Sequence, residues 1–327
     1  MTQRRVGILG LGAYLPEKVL TNLDLEKMVD TSDEWIQSRT GIKERRIAEK
    51  GVATSDLAAK AALEAIRSAG LKPTDLELII LATISSDMIF PSTACIVQNK
   101  IGAKCPAFDI SAACSGFPYA ITIAEGLIRA DAYKHILVIG AEVISGFINW
   151  KDRSTCVLFG DGAWAAVLGE VKNGHGIMAT YLGSDGAQAK LLQIPAGGSA
   201  IPPSAASVNA GLHYVQMEGS EVFKSAVRTM SDAIVEVTKR AGIKVEEIDC
   251  LIPHQANLRI LSAVSERTGI PLEKIFINLD RYGNMSAAST AVALCEAAKE
   301  GRLKKNSNVV LVAFGSGLTW AACAIRW

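Results

Sequence analysis

Apolar and polar positions change period several times along the chain, and each change marks an element. Residues 54–70 (TSDLAAKAALEAIRSAG) open on a Ser/Thr-Asp cap, carry Leu57, Ala61 and Ile66 on one side and stop at Gly70. That is the spacing and punctuation of an amphipathic helix. The run LELIILAT (76–83) abandons the helical period and reads as a buried strand. The same succession returns later. Residues 220–242 (SEVFKSAVRTMSDAIVEVTKRAG) read as a helix ending at Gly, and IDCLI within IKVEEIDCLIPHQ reads as a second buried strand.

The two passages align. AGLKPTDLELII (69–80) matches AGIKVEEIDCLI (241–252) at an offset of 241 − 69 = 172 residues. SAAC (111–114) matches SAAS (286–289) at 175, and HILVIGAE (135–142) matches NVVLVAFG (308–315) at 173. Two copies of a helix-strand alternation, each about half the chain, predict two α/β halves packed face to face, 1–172 and 173–327. A site between the halves is then expected. The Gly- and Pro-containing stretch 192–211 reads as an irregular excursion bordering a channel, not as a tether.

With 49% hydrophobic residues the 327-residue chain can bury a large core. A net charge of +1 supplies no global field for nucleic acid or an anionic membrane, so an anionic partner must meet a local patch. The start MTQRRVGILGLGAYLP lacks a signal-peptide core, and no apolar run reaches membrane-spanning length. Seven scattered cysteines (95, 105, 114, 156, 250, 295, 323) form no CxxC pair and point to reduced thiols in a cytoplasmic protein.

Around Cys114 the sequence AFDISAACSGFPYAITIAEGLIRA gives a short strand, a tight turn of small residues, then Phe117, Ile121, Ala124, Leu127 and Ile128 at helical spacing. Cys114 is thus expected at a helix N-terminus, where unpaired N–H groups and the helix dipole lower a thiol pKa and make a nucleophile. The same position also suits a small buried hydrophobe, the ordinary fate of a free Cys. His254, in LIPHQANLRIL, falls where an apolar strand gives way to a helix. Strand ends are where α/β proteins place chemistry. Asn284, in DRYGNMSAAS, opens the helix that the repeat sets opposite the one carrying Cys114. Alone it reads as a turn or cap.

Taken together, CSGF at Cys114, PHQANLRI at His254, YGNMSAAS at Asn284, FGDGA (159–163), AFGSGLTW (313–320), TSDEWIQSRTGIKERRIA (31–48) and FPSTA (90–94) resemble the β-ketoacyl-acyl-carrier-protein synthase III family, in order and end to end. The resemblance implies a thiolase-like fold, two duplicated α/β halves forming a five-layered α-β-α-β-α unit. It also implies a cytoplasmic acyltransferase without metal or tightly bound cofactor, a homodimer using coenzyme A thioesters and malonyl-acyl carrier protein. Cys114 would take an acyl group, typically acetyl, from coenzyme A. His254 and Asn284 would stabilise the enolate formed on decarboxylation, and the backbone N–H groups of Cys114 and Ser316 the tetrahedral oxyanion.

By the same resemblance Trp35, Arg39 and Arg153 would bind the adenine end of coenzyme A, and Phe223 and Asn257 its pantetheine. Arg259, Lys224 and Gln255 would meet the acidic carrier protein, and Phe90 would enter a neighbouring subunit's acyl pocket. Two departures stand out. Met285 replaces the family's usual Thr and is expected to reshape the cavity beside Asn284. Ser316 replaces a Gly and is expected to add a hydroxyl near the oxyanion. Relatives that condense two acyl-coenzyme A molecules or transfer acyl groups to oxygen or nitrogen share Cys114 and His254, so Asn284 is what favours decarboxylative condensation.

Overall fold

The computed structural model describes residues 5–172 and 174–327. Residue 173, at which the second half is expected to begin, lies outside them, as do the first four residues. The first sheet contains β1 (Val6–Tyr14), β2 (Leu78–Ala82), β3 (Ala107–Ile110), β4 (Ile136–Glu142) and β5 (Gly162–Glu170), in the order β1-β5-β4-β2-β3. The second contains β6 (Gly176–Ser184), β7 (Cys250–Pro253), β8 (Asn308–Gly315) and β9 (Thr319–Arg326), in the order β7-β8-β9-β6.

Pairing repeats strand for strand. β1–β5 and β4–β5 are antiparallel and β2–β4 parallel; β6–β9 and β8–β9 are antiparallel and β7–β8 parallel. Where β3 runs parallel beside β2 in the first sheet, the second retains only a parallel bridge between Leu251 and Ile275.

Strands β2, β4, β7 and β8 are buried on both faces, which explains their unbroken apolar runs. Leu78, Ile80, Ile136 and Val138 face the centre of the molecule, whereas Ile79, Leu81, Leu137 and Ile139 face outward. In the second sheet Val309 and Leu311 face the centre, and Val310 and Val312 face outward.

Seven helices frame the site. The short α1 (Asp33–Thr40) sits outside the layers and buries Ile36 beside Leu261. α2 (Thr54–Ser68) and α3 (Thr93–Ile101) cover the outer face of the first sheet. α4 (Gly116–Arg129) lies between the sheets. α5 (Gly219–Ala241) and α6 (Leu258–Thr268) cover the outer face of the second sheet, and α7 (Ala287–Lys299) joins α4 in the middle. This is the expected order α-β-α-β-α. Small residues allow the middle layer its closeness: a Cβ on Gly116 would sit 2.8 Å from the Ala82 Cβ, and one on Gly140 2.8 Å from the Ala287 carbonyl oxygen.

Two local expectations change. The cap of α2 is not a Ser or Thr side chain: Ala53 occupies the cap, and the Asp56 carboxylate accepts its N–H at 2.9 Å. Thr54 instead donates its hydroxyl to the Ser85 carbonyl at 2.5 Å, tying the helix to the loop after β2. The repeat register also shifts at the turns before α4 and α7. Ala113 (φ 46°) and Ser286 (φ 47°) share an uncommon backbone conformation and stand 286 − 113 = 173 residues apart. Structurally Cys114 therefore corresponds to Ala287, not Ser289. The likeness of SAAC and SAAS is two residues out of register with the fold.

Candidate active site

The elements of both halves converge on Cys114. After β3 the chain makes a tight turn, Ala113–Ser115, before entering α4. The left-handed Ala113 turns the following residue inward, and Cys114 is 5% exposed. Its back rests on Gly315 at the end of β8, where a Cβ would fall 2.6 Å from the Cys114 nitrogen and 3.1 Å from its Cβ. Two bonds clamp this meeting of the halves: the Thr319 hydroxyl donates to the Ala112 carbonyl, and the Ser115 hydroxyl to the Thr319 carbonyl, each at 3.0 Å. Cys114 lines two cavities, of about 620 and 350 Å³.

His254 follows the last residue of β7 and is held by its N–H to the Val312 carbonyl at 2.8 Å. It lines the larger cavity with Cys114 and Asn284, yet is 3% exposed. Burial pushes its pKa down to about 3, so the imidazole stays neutral at working pH. Asn284 is pinned by backbone on both sides, donating to Leu158 O at 2.8 Å and accepting from Gly160 N at 3.0 Å. Its Oδ1 accepts from Ser286 N at 2.8 Å, which leaves the Nδ2 donor end for the cavity. The cavity is thus furnished with a thiol, a neutral imidazole and an amide donor. It contains the parts to polarise an oxygen.

A pH dependence follows from His254. Its pKa is depressed in the fold, so below about 6.5 the unfolded chain binds a proton that the native state refuses. Stability is present above 6.5 and is lost as pH falls from there toward 3. Between pH 7.5 and 5 wild type is expected to lose about 2 kcal/mol more than His254→Gln in urea unfolding. Equal losses would contradict a buried neutral imidazole.

Cys114 departs from expectation. The helix start was expected to lower its pKa, but burial pushes the thiol up to about 12. A helix terminus is worth at most about 2 kcal/mol; the rise from an ordinary thiol corresponds to about 4 kcal/mol, so desolvation wins. At rest the sulfur carries its proton.

The larger cavity leads outward past Asn257 and Phe223 to Trp35, Arg39, Lys224 and Arg259. Arg153 lies at the same entrance, its guanidinium 4.7 Å from the Trp35 ring centre. Asn257 also caps α6, accepting from Arg259 N at 2.8 Å. Lys224 pairs with Glu221 at 2.7 Å, both largely exposed, an arrangement worth little to stability. Phe90 is 82% exposed beside Ile89 at 81%, and neither lines the two cavities.

Three expectations are corrected. Gln255 is fully buried, donating to the carbonyls of Pro253 and Phe276 at 2.8 and 3.0 Å and accepting from Asn278 N at 3.0 Å. It fastens the loop after β7 and cannot meet a carrier protein. Met285 faces the central core rather than the cavity, filling the space left by Gly162, where a Cβ would lie 2.6 Å from its sulfur. The Ser316 hydroxyl donates to the Leu192 carbonyl, and both residues line the smaller cavity.

Sequence reasoning missed Gly315, which packs against Cys114, Ser286, which lines the smaller cavity with it, and Glu142, a buried carboxylate whose charge, after burial itself, pushes the thiol pKa up. The signal for Glu142 was available: it ends the apolar run ILVIGAE, where a charge cannot be buried without purpose. All seven cysteines are unpaired. Among the described residues no cluster of His, Cys, Asp and Glu is placed to hold a metal, and no helix is long and apolar enough to cross a membrane.

Known proteins share this architecture. Family models described as 3-oxoacyl-[acyl-carrier-protein (ACP)] synthase III and its C terminal match residues 108–186 and 238–327. The beta-ketoacyl-[acyl-carrier-protein] synthase III of Caldanaerobacter subterraneus subsp. tengcongensis is 58% identical over 322 residues, 98% of this chain and 97% of the relative. That of Clostridioides difficile is 56% identical over 99% and 98% of the two chains. The crystal structure of 3-oxoacyl-[acyl-carrier-protein] synthase III from Aquifex aeolicus VF5 matches with a TM-score of 0.92 at 50% identity, covering 98% of this chain and 100% of that one. With this identity over nearly its whole length, and a thiolase-like fold to match, the chain belongs to the 3-oxoacyl-[acyl-carrier-protein] synthase III family.

Proposed function

We propose that Cys114 bears the primer acyl group in the condensation by which this acyltransferase starts fatty-acid synthesis, joining an acyl-coenzyme A primer to malonyl-acyl carrier protein. The observation that carries this reading is the position of Cys114 at the junction of two cavities, with His254 and Asn284 lining the one that opens to the surface.

The Cys114 sulfur attacks the thioester of the primer, and the free coenzyme leaves through the larger cavity. Malonyl-acyl carrier protein then enters the same channel and loses carbon dioxide. The neutral imidazole of His254 and the Nδ2 group of Asn284 hydrogen-bond the oxygen on which enolate charge develops. The enolate carbon attacks acyl-Cys114, with the Cys114 and Ser316 N–H groups as donors to the tetrahedral oxyanion. A pair of uncharged donors suits this chemistry, because a base beside the thioester would activate water against it.

Trp35, Arg39 and Arg153 take the adenine end of coenzyme A, which must part the Arg153–Trp35 stack; Phe223 and Asn257 flank the pantetheine. Arg259 and Lys224, exposed at the mouth, receive the acidic carrier. No tightly bound cofactor is required. The exposed Phe90 projection is the natural homodimer contact, reaching a neighbour's acyl pocket. Reduced cysteines and the lack of a membrane-spanning helix among the described residues support a cytoplasmic location. The repeated strand pairing supports a division into halves 1–172 and 173–327.

Purified protein with acetyl-coenzyme A and malonyl-acyl carrier protein is expected to yield acetoacetyl-acyl carrier protein and carbon dioxide. Absence of product with every short acyl primer would overturn the proposal.

A further inference from the structure

One arginine of the segment TSDEWIQSRTGIKERRIA lies far from solvent. Arg45 belongs to a short two-stranded ribbon, Val19–Thr21 paired antiparallel with Glu44–Arg46, and is fully buried. Its Nη1 donates to the Leu20 carbonyl at 3.1 Å and to Asn22 Oδ1 at 2.8 Å, and its Nη2 to the Val157 carbonyl at 2.7 Å. Nε has no partner. Burial pulls the guanidinium pKa down to about 10, so the group stays charged at neutral pH. All three bonds therefore run from a cation to uncharged oxygens. A buried charge without a paired carboxylate is costly, and packing alone is served as well by an apolar side chain.

The fork joins two parts of the larger cavity. One arm ends on the segment that frames Asn284. Val157, Leu158 and Phe159 line the cavity. Asn284 N donates to Leu158 O at 2.8 Å and Gly160 N to Asn284 O at 3.0 Å, a parallel bridge between Phe159 and Asn284. The stem of Arg45 sits against the two glycines flanking this bridge. A Cβ on Gly160 would fall 3.0 Å from the Arg45 Cβ, and one on Gly283 3.5 Å from it. The other arm reaches the cavity mouth through Asn22. Asn22 Nδ2 donates to Asp33 Oδ1 at 2.8 Å and to the Ile42 carbonyl at 2.7 Å. That amide thus holds the first residue of α1 and the chain just beyond its last, and α1 carries Trp35 and Arg39.

We infer that Arg45 is the positioning residue that fixes Asn284 for the second half-reaction, by holding residues 157–160 in register with residue 284. The inference rests on the proposed role of Asn284 as a donor to the enolate oxygen. Arg45 lines neither cavity at Cys114 and acts only through the backbone it holds. Without the bond to Val157 the segment 157–160 shifts and takes the Asn284 amide with it, and a shift of about 1 Å at a reacting group costs about 10²-fold. The turn that carries Cys114 is clamped from Gly315 and Thr319 instead, so acylation does not depend on Arg45.

A double-variant cycle of Arg45→Met and Asn284→Ala tests this, with two readouts at saturating substrates. One is single-turnover acylation of Cys114 by acetyl-coenzyme A; the other is carbon dioxide release and condensation from malonyl-acyl carrier protein. Arg45→Met is expected to slow condensation at least about tenfold and acylation by less than about threefold. In the Asn284→Ala background the same substitution should slow condensation by less than about twofold, because no amide remains to be misplaced. Arg45→Lys should also fall short of wild type in condensation, since one ammonium does not reproduce the two-armed fork. Arg45→Met that condenses as fast as wild type, or that slows both backgrounds equally, would overturn the inference; equal slowing is the result for a residue that only stabilises the fold. Should Arg45→Met fail to fold, Arg45→Lys taken through the same cycle decides. Asn284→Ala as fast as wild type would overturn the role of Asn284 and the inference with it, whereas wild type not acylated at Cys114 would refute the proposed function as a whole.

Discussion

His254→Ala and Asn284→Ala are each expected to slow condensation by about 10²–10³-fold, the usual cost of one oxyanion donor. Single-turnover acylation by acetyl-coenzyme A should stay within about tenfold of wild type. The split follows from placement. Neither side chain is needed to hold the turn that carries Cys114, which is clamped by Gly315, Thr319 and Ser115. Both instead line the channel through which the second substrate enters. A double variant should cost less than the product of the two single losses, because both donors serve the same oxygen. Equal loss in both half-reactions would contradict this division of roles.

Gly315→Ala is expected to cost about 10²-fold or more in condensation and in acylation together. The added methyl would lie 2.6 Å from the Cys114 nitrogen, which is backbone and cannot rotate aside. Either the turn bearing the nucleophile or the loop 315–319 must move, and a displacement of about 1 Å at a reacting group costs on that order. Gly126→Ala is the control, since nothing stands within 4 Å of a Cβ there and α4 would gain a better helix former. Its activity should equal that of wild type. If Gly315→Ala is fully active, the close approach of the two halves does not position the sulfur.

The large elements were legible because they are periodic. The helix over 54–70, the strand in 76–83 and the succession over 220–252 kept their places, since apolar spacing records which face is buried. Depth was not legible. Cys114 was placed at a helix start but not under two sheets, so the sign of its pKa shift came out reversed. Gln255 looked like a surface residue beside His254; its partners Phe276 and Asn278 lie more than twenty positions along the chain. Met285 was adjacent to Asn284 in sequence yet faces the opposite way, as neighbours at an irregular helix start do. The two-residue slip between SAAC and SAAS arose because runs of small residues resemble one another at several registers. Only the shared left-handed turn distinguishes them.

The central claim is that Cys114 carries the acyl group. Intact-mass and peptide mass spectrometry after incubation with acetyl-coenzyme A should find one added acetyl group, confined to the peptide containing Cys114 and absent from Cys114→Ala. An acetyl group on any of the other six cysteines, or full condensation by Cys114→Ala, would contradict it.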